Sequence, residues 1–489
     1  MKAAVIGSGV GGLAIATRLA LKGYSVTVYE QSDKSGGKIA EIKSGGYRFD
    51  TGPSLLTLPE LSDELFTLAG KKRTDYFNYT RLDVICNYFY EDGLKIRAFS
   101  DAGKFATEVE EQSGEPAQRV LHHLKKSRDQ YRLTADIFLF SSLHKISNFF
   151  RLRVLKGILL FHKVDAFTSM HSRIARRFDD RRVIQLFDRY ATYNGSNPFV
   201  APATLNVISH LEHNMGAYFP VKGMRSLATG LEMLARDCGV QFAFSKKVDK
   251  IILKGRKATG IKVQNEDLDY DLIVSDVDVN HLYKNLLPET WSIKTEDSKL
   301  SSSALIFYWG IRGKSSSLGL HNILFSDDYK AEFQQIFEDR TVYRDPTVYI
   351  YISSKLVPSD APEHGENWYV MINVPPDMGQ NWEQIIRETR RNIIRKIERM
   401  LKIPIEKEIE FEHVESPLTI EKRTMSWKGA LYSNNSNSMY SAFLRHSYKN
   451  KRLQNLYFVG GSVHPGGGIP LCLASARIAD KEIKAASNP

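Results

Sequence analysis

An α/β fold is predicted: a parallel dinucleotide-binding sheet assembled from separated stretches of the chain, with an α+β substrate-binding domain inserted between them. Three observations predict it. The sequence opens on a strand, a glycine turn, a helix and a second strand between Lys2 and Glu30. A β-rich alternation returns near residue 220, after a long helical and aromatic stretch. From Leu456 the chain again runs through a strand, a glycine cluster (Gly460, Gly461, Gly466, Gly467, Gly468) and a helix. A chain of 489 residues is also long for one core. The boundaries read as 1–75, 220–290 and 450–489 for the nucleotide domain, and 76–219 and 291–449 for the other.

The opening unit is the most informative. "KAAVIG" is a short apolar strand, "GLAIATRLALKG" a helix ended by Gly23, and "SVTVYE" a second strand. Gly7, Gly9 and Gly12 fit G-x-G-x-x-G in the required strand-to-helix context. The first allows a tight turn, the second lets backbone approach a pyrophosphate, and the third allows close helix–strand packing. The helix N-terminus then stabilises the phosphate charge. Glu30 ends the second strand, where a carboxylate hydrogen-bonds ribose hydroxyls. This unit does not separate FAD from NAD. Two further turns follow: Gly36-Gly37-Lys38, and Asp50-Thr51-Gly52-Pro53-Ser54 ahead of Leu55. A minimal NAD site needs neither.

The stretch from about 75 to 220 reads as basic, aromatic and helical. From 239 to 280, apolar and polar residues alternate around turns at Lys254–Arg256 and Asn265–Asp267. "SALIFYWGI", "TVYIYIS" and "NWYVMINVP" read as strands, and residues 381–402 as a charged helix.

Composition is that of a globular protein, with 42% hydrophobic and 25% charged residues. No uncharged apolar run is long enough to span a membrane. The basic, apolar N-terminus could pass for a signal peptide, but its glycines fall at nucleotide-turn spacing and no polar cleavage region follows. Cys86, Cys238 and Cys472 are far apart and lack ligand spacing, so neither a metal site nor a disulfide framework is expected. The net charge is +11. Residues 119–190 carry 16 Lys and Arg against 6 Asp, a difference of +10. Within them, Ile146 to Lys163 places Ile146, Phe149, Phe150, Leu155, Ile158 and Leu159 at roughly helical spacing among Arg151, Arg153, Lys156 and Lys163. Such a segment suits a membrane surface or, equally, a core-facing helix with a basic back. Nucleic acid is not an expected partner, because the aromatics lie in apolar runs rather than as stacking platforms. The expected location is cytoplasmic, peripherally associated with the inner face of the membrane. The oligomeric state is left open.

The run from Glu30 to Pro59, with its GG-basic and D-x-GP turns, resembles the FAD-binding start of the amine oxidase and phytoene desaturase superfamily. The C-terminal stretch narrows the resemblance to bacterial-type phytoene dehydrogenases, the carotenoid desaturases. Asn455, Tyr457, Gly460, Gly461, Ser462, His464, Pro465, Gly466, Gly468, Ile469 and Ser475 fit that family's terminal signature. Val463 and Gly467 depart from it, toward the variant of desaturases that act on the 3,4 bond of hydroxylated carotenoids. Lys222 also departs, where the family commonly has glycine.

The resemblance implies a Rossmann-like FAD-binding domain and non-covalent FAD. It implies cofactor contacts at Gly7, Gly9, Gly11, Gly12, Glu30, Gln31, Gly37, Lys38, Gly52, Pro53, Ser54, Leu55, Val248, Gly460, Gly461, Gly468, Ile469 and Pro470. The implied reaction is desaturation next to a polyene, with hydride transfer to flavin, on a hydrophobic carotenoid taken from the membrane. Glu212 and His464 are the candidate catalytic side chains; no acid/base residue carries over between 136 and 165. Phytoene-type desaturation is the alternative within the family. An isoprenoid-binding escort protein of the same architecture is the alternative outside catalysis.

Overall fold

The computed structural model describes residues 1–489 except 142–164, 166, 292, 294, 295, 439–444 and 487–489. The segment Ile146–Lys163, read above as amphipathic and basic, lies outside the described residues.

A five-stranded parallel sheet carries the nucleotide-type elements. Its order is Leu456–Phe458, Leu272–Ser275, Lys2–Ile6, Ser25–Tyr29 and Gln241–Ala243. Lys2–Ile6 sits in the middle, with Val5 opposite Val274 on one side and Val28 on the other. Buried on both faces, the central strands Lys2–Ile6 and Leu272–Ser275 read as nearly continuous apolar runs instead of alternating ones. The helices Val10–Leu21 and Ile469–Glu482 pack on each other beside the sheet, as does Arg225–Asp237. Ala14, Ile15, Leu19, Leu473, Ala476 and Ala479 fill this interface.

A second sheet has seven strands, ordered Ile409–Glu415, Ser303–Arg312, Gly365–Val374, Val348–Ile352, His321–Leu324, Val84–Phe89 and Lys95–Phe99. Neighbours are antiparallel except His321–Leu324 against Val84–Phe89. Its outer face is closed by the helix Trp382–Leu401, whose Ile393, Ile394 and Ile397 pack with Leu305, Phe307, Trp309 and Val370. The other face looks toward the cofactor-type turns. A separate three-stranded antiparallel sheet runs Val248–Lys254, Lys257–Val263 and Glu266–Asp269.

Two expectations are corrected. The stretch after residue 75 is not helical throughout, because Tyr79–Arg81, Val84–Phe89 and Lys95–Phe99 are strands. Val84–Phe89 and Lys95–Phe99 complete the edge of the seven-stranded sheet, and Tyr79–Arg81 pairs with Tyr218–Pro220 in a separate two-stranded sheet. The second turn of the small sheet lies at Gln264 and Asn265, both at positive φ, so Glu266 already pairs with Val263. A two-residue loop of this kind matches the twist of its strands.

Candidate functional site

The C-terminal ends of the parallel strands converge on a cavity of about 460 Å³. This is where ligands bind in open α/β sheets. Two helix N-termini border it, with Gly9 and Gly468 as caps that offer no side chain to the free amides. The glycine turns meet at backbone contact distance. A Cβ on Gly12 would lie 2.1 Å from the Gly7 carbonyl oxygen, and one on Gly11 would lie 2.9 Å from Gly460 Cα. A Cβ on Gly37 would come 3.3 Å from Gly9 Cα, and one on Gly52 would come 2.3 Å from the Lys38 carbonyl oxygen. Gly468, at φ +103, has open space where its Cβ would be. Four turns far apart in sequence therefore form one backbone-lined cradle at two helix N-termini, which suits an extended anion such as a dinucleotide pyrophosphate.

The cavity lining brings together Gly7, Gly9, Gly11, Glu30, Gln31, Gly37, Lys38, Gly52, Pro53, Ser54, Leu55, Val248, Gly461, Gly468, Ile469 and Pro470. Gly12 and Gly460 stand behind it as packing positions. Glu30 is buried and tied to the first turn: Ser8 N–H and Ser8 Oγ donate to Oε2 at 2.9 and 2.7 Å, and Ser32 N–H donates to Oε1 at 2.9 Å. Lys38 Nζ donates to the Leu431 carbonyl; burial pushes its pKa down, while the Asp278 carboxylate opposes that shift. Asp50 anchors the third turn, accepting from the Met224 and Arg225 amides at 2.8 and 3.0 Å and from Arg48 at 2.7 Å.

Glu212 also lines the cavity and is 1% exposed. Its carboxylate pairs with Arg189 Nη2 at 3.0 Å and accepts from the Tyr190 hydroxyl at 2.8 Å. Arg189 in turn donates to the Tyr88 hydroxyl at 2.8 Å and lies over the Tyr190 ring. His464 is buried outside the lining, with Nε2 2.8 Å from the Ser141 carbonyl oxygen. Cys86 and Cys472 both face the cavity as free thiols, and burial pushes each up to about 12. Neither is a thiolate near neutral pH. Among the described residues no group of three or more His, Cys, Asp or Glu could hold a metal ion.

The sequence reading missed Asp276, Arg189 and His321. Asp276 carried one signal: a carboxylate immediately after a buried parallel strand, on the ligand-binding edge of such a sheet. Its side chain sits among the glycine turns, with Oδ2 2.4 Å from where a Cβ on Gly9 would lie. Burial pushes it up to about 7, and Glu30 pushes the same way; amide donors on Gly12 and Gly9 and the Lys38 charge pull it back. The Cys472 thiol also lies within its electrostatic reach. The folded protein therefore holds this proton from about pH 4, where an unfolded aspartate loses it, up to about pH 7. Stability from this group is full below that window and is lost as pH rises through it. The Tm of FAD-free protein is expected to fall between about pH 4 and about pH 7, and Asp276→Asn is expected to flatten that fall. Scanning fluorimetry of both proteins across the range checks it.

Comparison with known proteins agrees with this geometry. A family model described as flavin containing amine oxidoreductase matches residues 10–483. The chain is 46% identical over 478 residues to 1-hydroxycarotenoid 3,4-desaturase from Flavobacterium sp. (strain P99-3), covering 98% of each chain. It is 29% identical over 494 residues to phytoene desaturase from Phycomyces blakesleeanus, covering 98% of this chain and 84% of that one. Among solved structures, an oxidoreductase from Methanosarcina mazei superposes with a TM-score of 0.64 at 15% identity, covering 99% and 100%. The cradle, the two uncapped helix ends and these similarities together show that the chain belongs to the flavin-containing amine oxidoreductase family and is an FAD-dependent oxidoreductase.

Proposed function

We propose that this protein desaturates a carotenoid at the single bond next to its polyene, and that the substrate is a 1-hydroxycarotenoid converted at the 3,4 bond. The observation that carries the reading is the continuity of the cavity. One lining runs from the glycine turns to Ile85, Ala304, Ile306, Ile323, Tyr369 and Met371 on the seven-stranded sheet. An apolar chain laid along that face would bring one end to the cofactor cradle. The name of the 46% identical relative supplies the substrate class.

On this reading residues 1–75, 220–290 and 450–489 form the cofactor domain, and 76–219 and 291–449 the substrate domain. Gly7, Gly9, Gly11, Gly37, Lys38 and Gly468 hold the pyrophosphate and flavin ends, Glu30 the ribose and Val248 the adenine. Bound FAD supplies a two-electron acceptor for the hydrogens removed. The apolar wall aligns the polyene and excludes water. A polyene spreads the charge left at the allylic carbon, so the neighbouring proton needs only a weak acceptor. That requirement fits Glu212, a cavity carboxylate already held by Arg189 and Tyr190.

Membrane association is part of the same proposal. Phe167, beside the segment outside the described residues, is 74% exposed. Against it, Arg119, Lys125, Arg173, Arg177, Arg182 and Arg189 of the basic stretch are ion-paired. No helix among the described residues is long and apolar enough to cross a membrane.

Anaerobic mixing of FAD-loaded protein with 1-hydroxycarotenoid in liposomes tests the reaction. One desaturated product per bound flavin is expected by chromatography, and more once an electron acceptor is added. Multiple turnovers without an acceptor, or no product with one, would overturn the reading.

A further inference from the structure

We propose that His321 binds the substrate's hydroxyl group and so selects hydroxylated over plain polyenes. The inference rests on the carotenoid reading above and adds the residue that recognises the oxygen.

His321 opens the strand His321–Leu324 and is 4% exposed. It lines the cavity, as does Ile323, two residues on and therefore on the same face of the strand. Asn322 points away and bonds Asn87 and Gly319. The imidazole is fixed in place. It stacks on the rings of Tyr349 and Tyr351, with centroids 6.0 and 5.3 Å away and planes 16° and 17° apart. Nδ1 lies 2.7 Å from the Tyr349 hydroxyl, which lies 2.5 Å from Ser54 Oγ. Nε2 is buried and has no hydrogen-bond partner among the described residues. An unpaired buried nitrogen costs free energy that a ligand atom recovers.

The relay sets the role of that nitrogen, and a hydroxyl, both donor and acceptor, pairs with it in either sense. With Ser54 donating to the Tyr349 oxygen, Tyr349 donates to Nδ1 and the ring proton sits on Nε2; with the order reversed, Nε2 accepts. Burial, with the Arg189 charge added, lowers the His321 pKa to about 3, so the ring is neutral. A neutral ring nitrogen in an apolar wall matches a neutral hydroxyl. The nearby Arg189 cation disfavours an ammonium substrate at the same place.

Position agrees with chemistry. In a 1-hydroxycarotenoid the oxygen-bearing carbon is C1 and the bond to be oxidised joins C3 and C4. The hydroxyl must therefore bind beside the reacting end, not at the far end of the cavity. His321 is two hydrogen bonds from Ser54, which belongs to the third glycine turn and lines the same cavity.

The test compares a 1-hydroxycarotenoid with the same polyene carrying hydrogen at C1. Dissociation constants are read from quenching of tryptophan fluorescence in FAD-loaded protein, and KM from product formation. Wild type is expected to prefer the hydroxylated compound about tenfold. His321→Leu is expected to bring that ratio to about one, and His321→Gln, which keeps a donor, to retain part of it. Flavin content and Tm report whether each variant has folded. If His321→Leu does not fold, Tyr349→Phe must lower the ratio, because it frees the ring and its tautomer. An unchanged ratio in the folded variants overturns the assignment while leaving the carotenoid reading intact. A flavin-loaded wild type that neither binds nor converts either polyene overturns both.

Discussion

Gly12→Ala is expected to purify with little flavin. The first carbon added at this position makes the contact, so Ala and Val fail alike: the new Cβ would lie 2.1 Å from the Gly7 carbonyl oxygen and 3.2 Å from Asp276 Oδ2. The backbone neighbour decides the outcome, because a 2.1 Å contact cannot be relieved by a side-chain shift. Gly7 is held at φ +94 by the turn, with its amide on the Tyr29 carbonyl at 2.8 Å. Relief must come from lifting the helix Val10–Leu21 off the strand, which moves its amides out of the cradle. Overpacking of this kind costs about 1 to 3 kcal/mol, which, taken from binding, weakens FAD by about 5- to 150-fold. The ratio of flavin to protein absorbance after purification, followed by FAD titration of the stripped protein, measures it. Full flavin content in Gly12→Ala would show that the helix adjusts without moving its end.

The second large effect is expected from Arg189→Leu. Removing the guanidinium leaves Glu212 as a charge, 1% exposed, with the Tyr190 hydroxyl as its remaining donor. Breaking one side of a buried pair costs roughly 3 to 5 kcal/mol, mostly from the stranded partner. Apparent Tm is expected to fall by on the order of 10 °C. The double variant Arg189→Leu, Glu212→Leu separates stranding from lost attraction. It is expected to recover about half of the loss, because the Tyr88 and Tyr190 hydroxyls still lose partners. A double variant no better than the single would assign the cost to the lost contacts of the Arg189 guanidinium with the Tyr88, Tyr190 and Tyr193 rings.

The turns and the strand-to-helix units were legible in the sequence because their requirements are local. Gly7, Gly9 and Gly12 announce a turn by their own spacing, and the strands Ser303–Arg312, Val348–Ile352 and Gly365–Val374 announce themselves by composition. What was not legible depends on partners distant in the chain. The order of the seven-stranded sheet sets His321–Leu324 beside Val84–Phe89, and nothing near either segment encodes that pairing. Arg189 reads as one more basic residue in a basic stretch until folding closes Glu212 and three tyrosines around it. Asp276 stood next to a recognised strand, but its carboxylate gains meaning only where Gly9 and Gly460 come together.

The sheet order also dictates when the protein can become a flavoprotein. During synthesis the strand Lys2–Ile6 waits, one edge open, for Leu272–Ser275, which in turn waits for Leu456–Phe458. The turn at Gly460 and the helix Ile469–Glu482 emerge later still, and both belong to the cradle. The cofactor site therefore stays unfinished until Gly460 and the helix Ile469–Glu482 have emerged. Before that, the open edge first of Lys2–Ile6 and then of Leu272–Ser275 is a surface for holding chaperones or for aggregation.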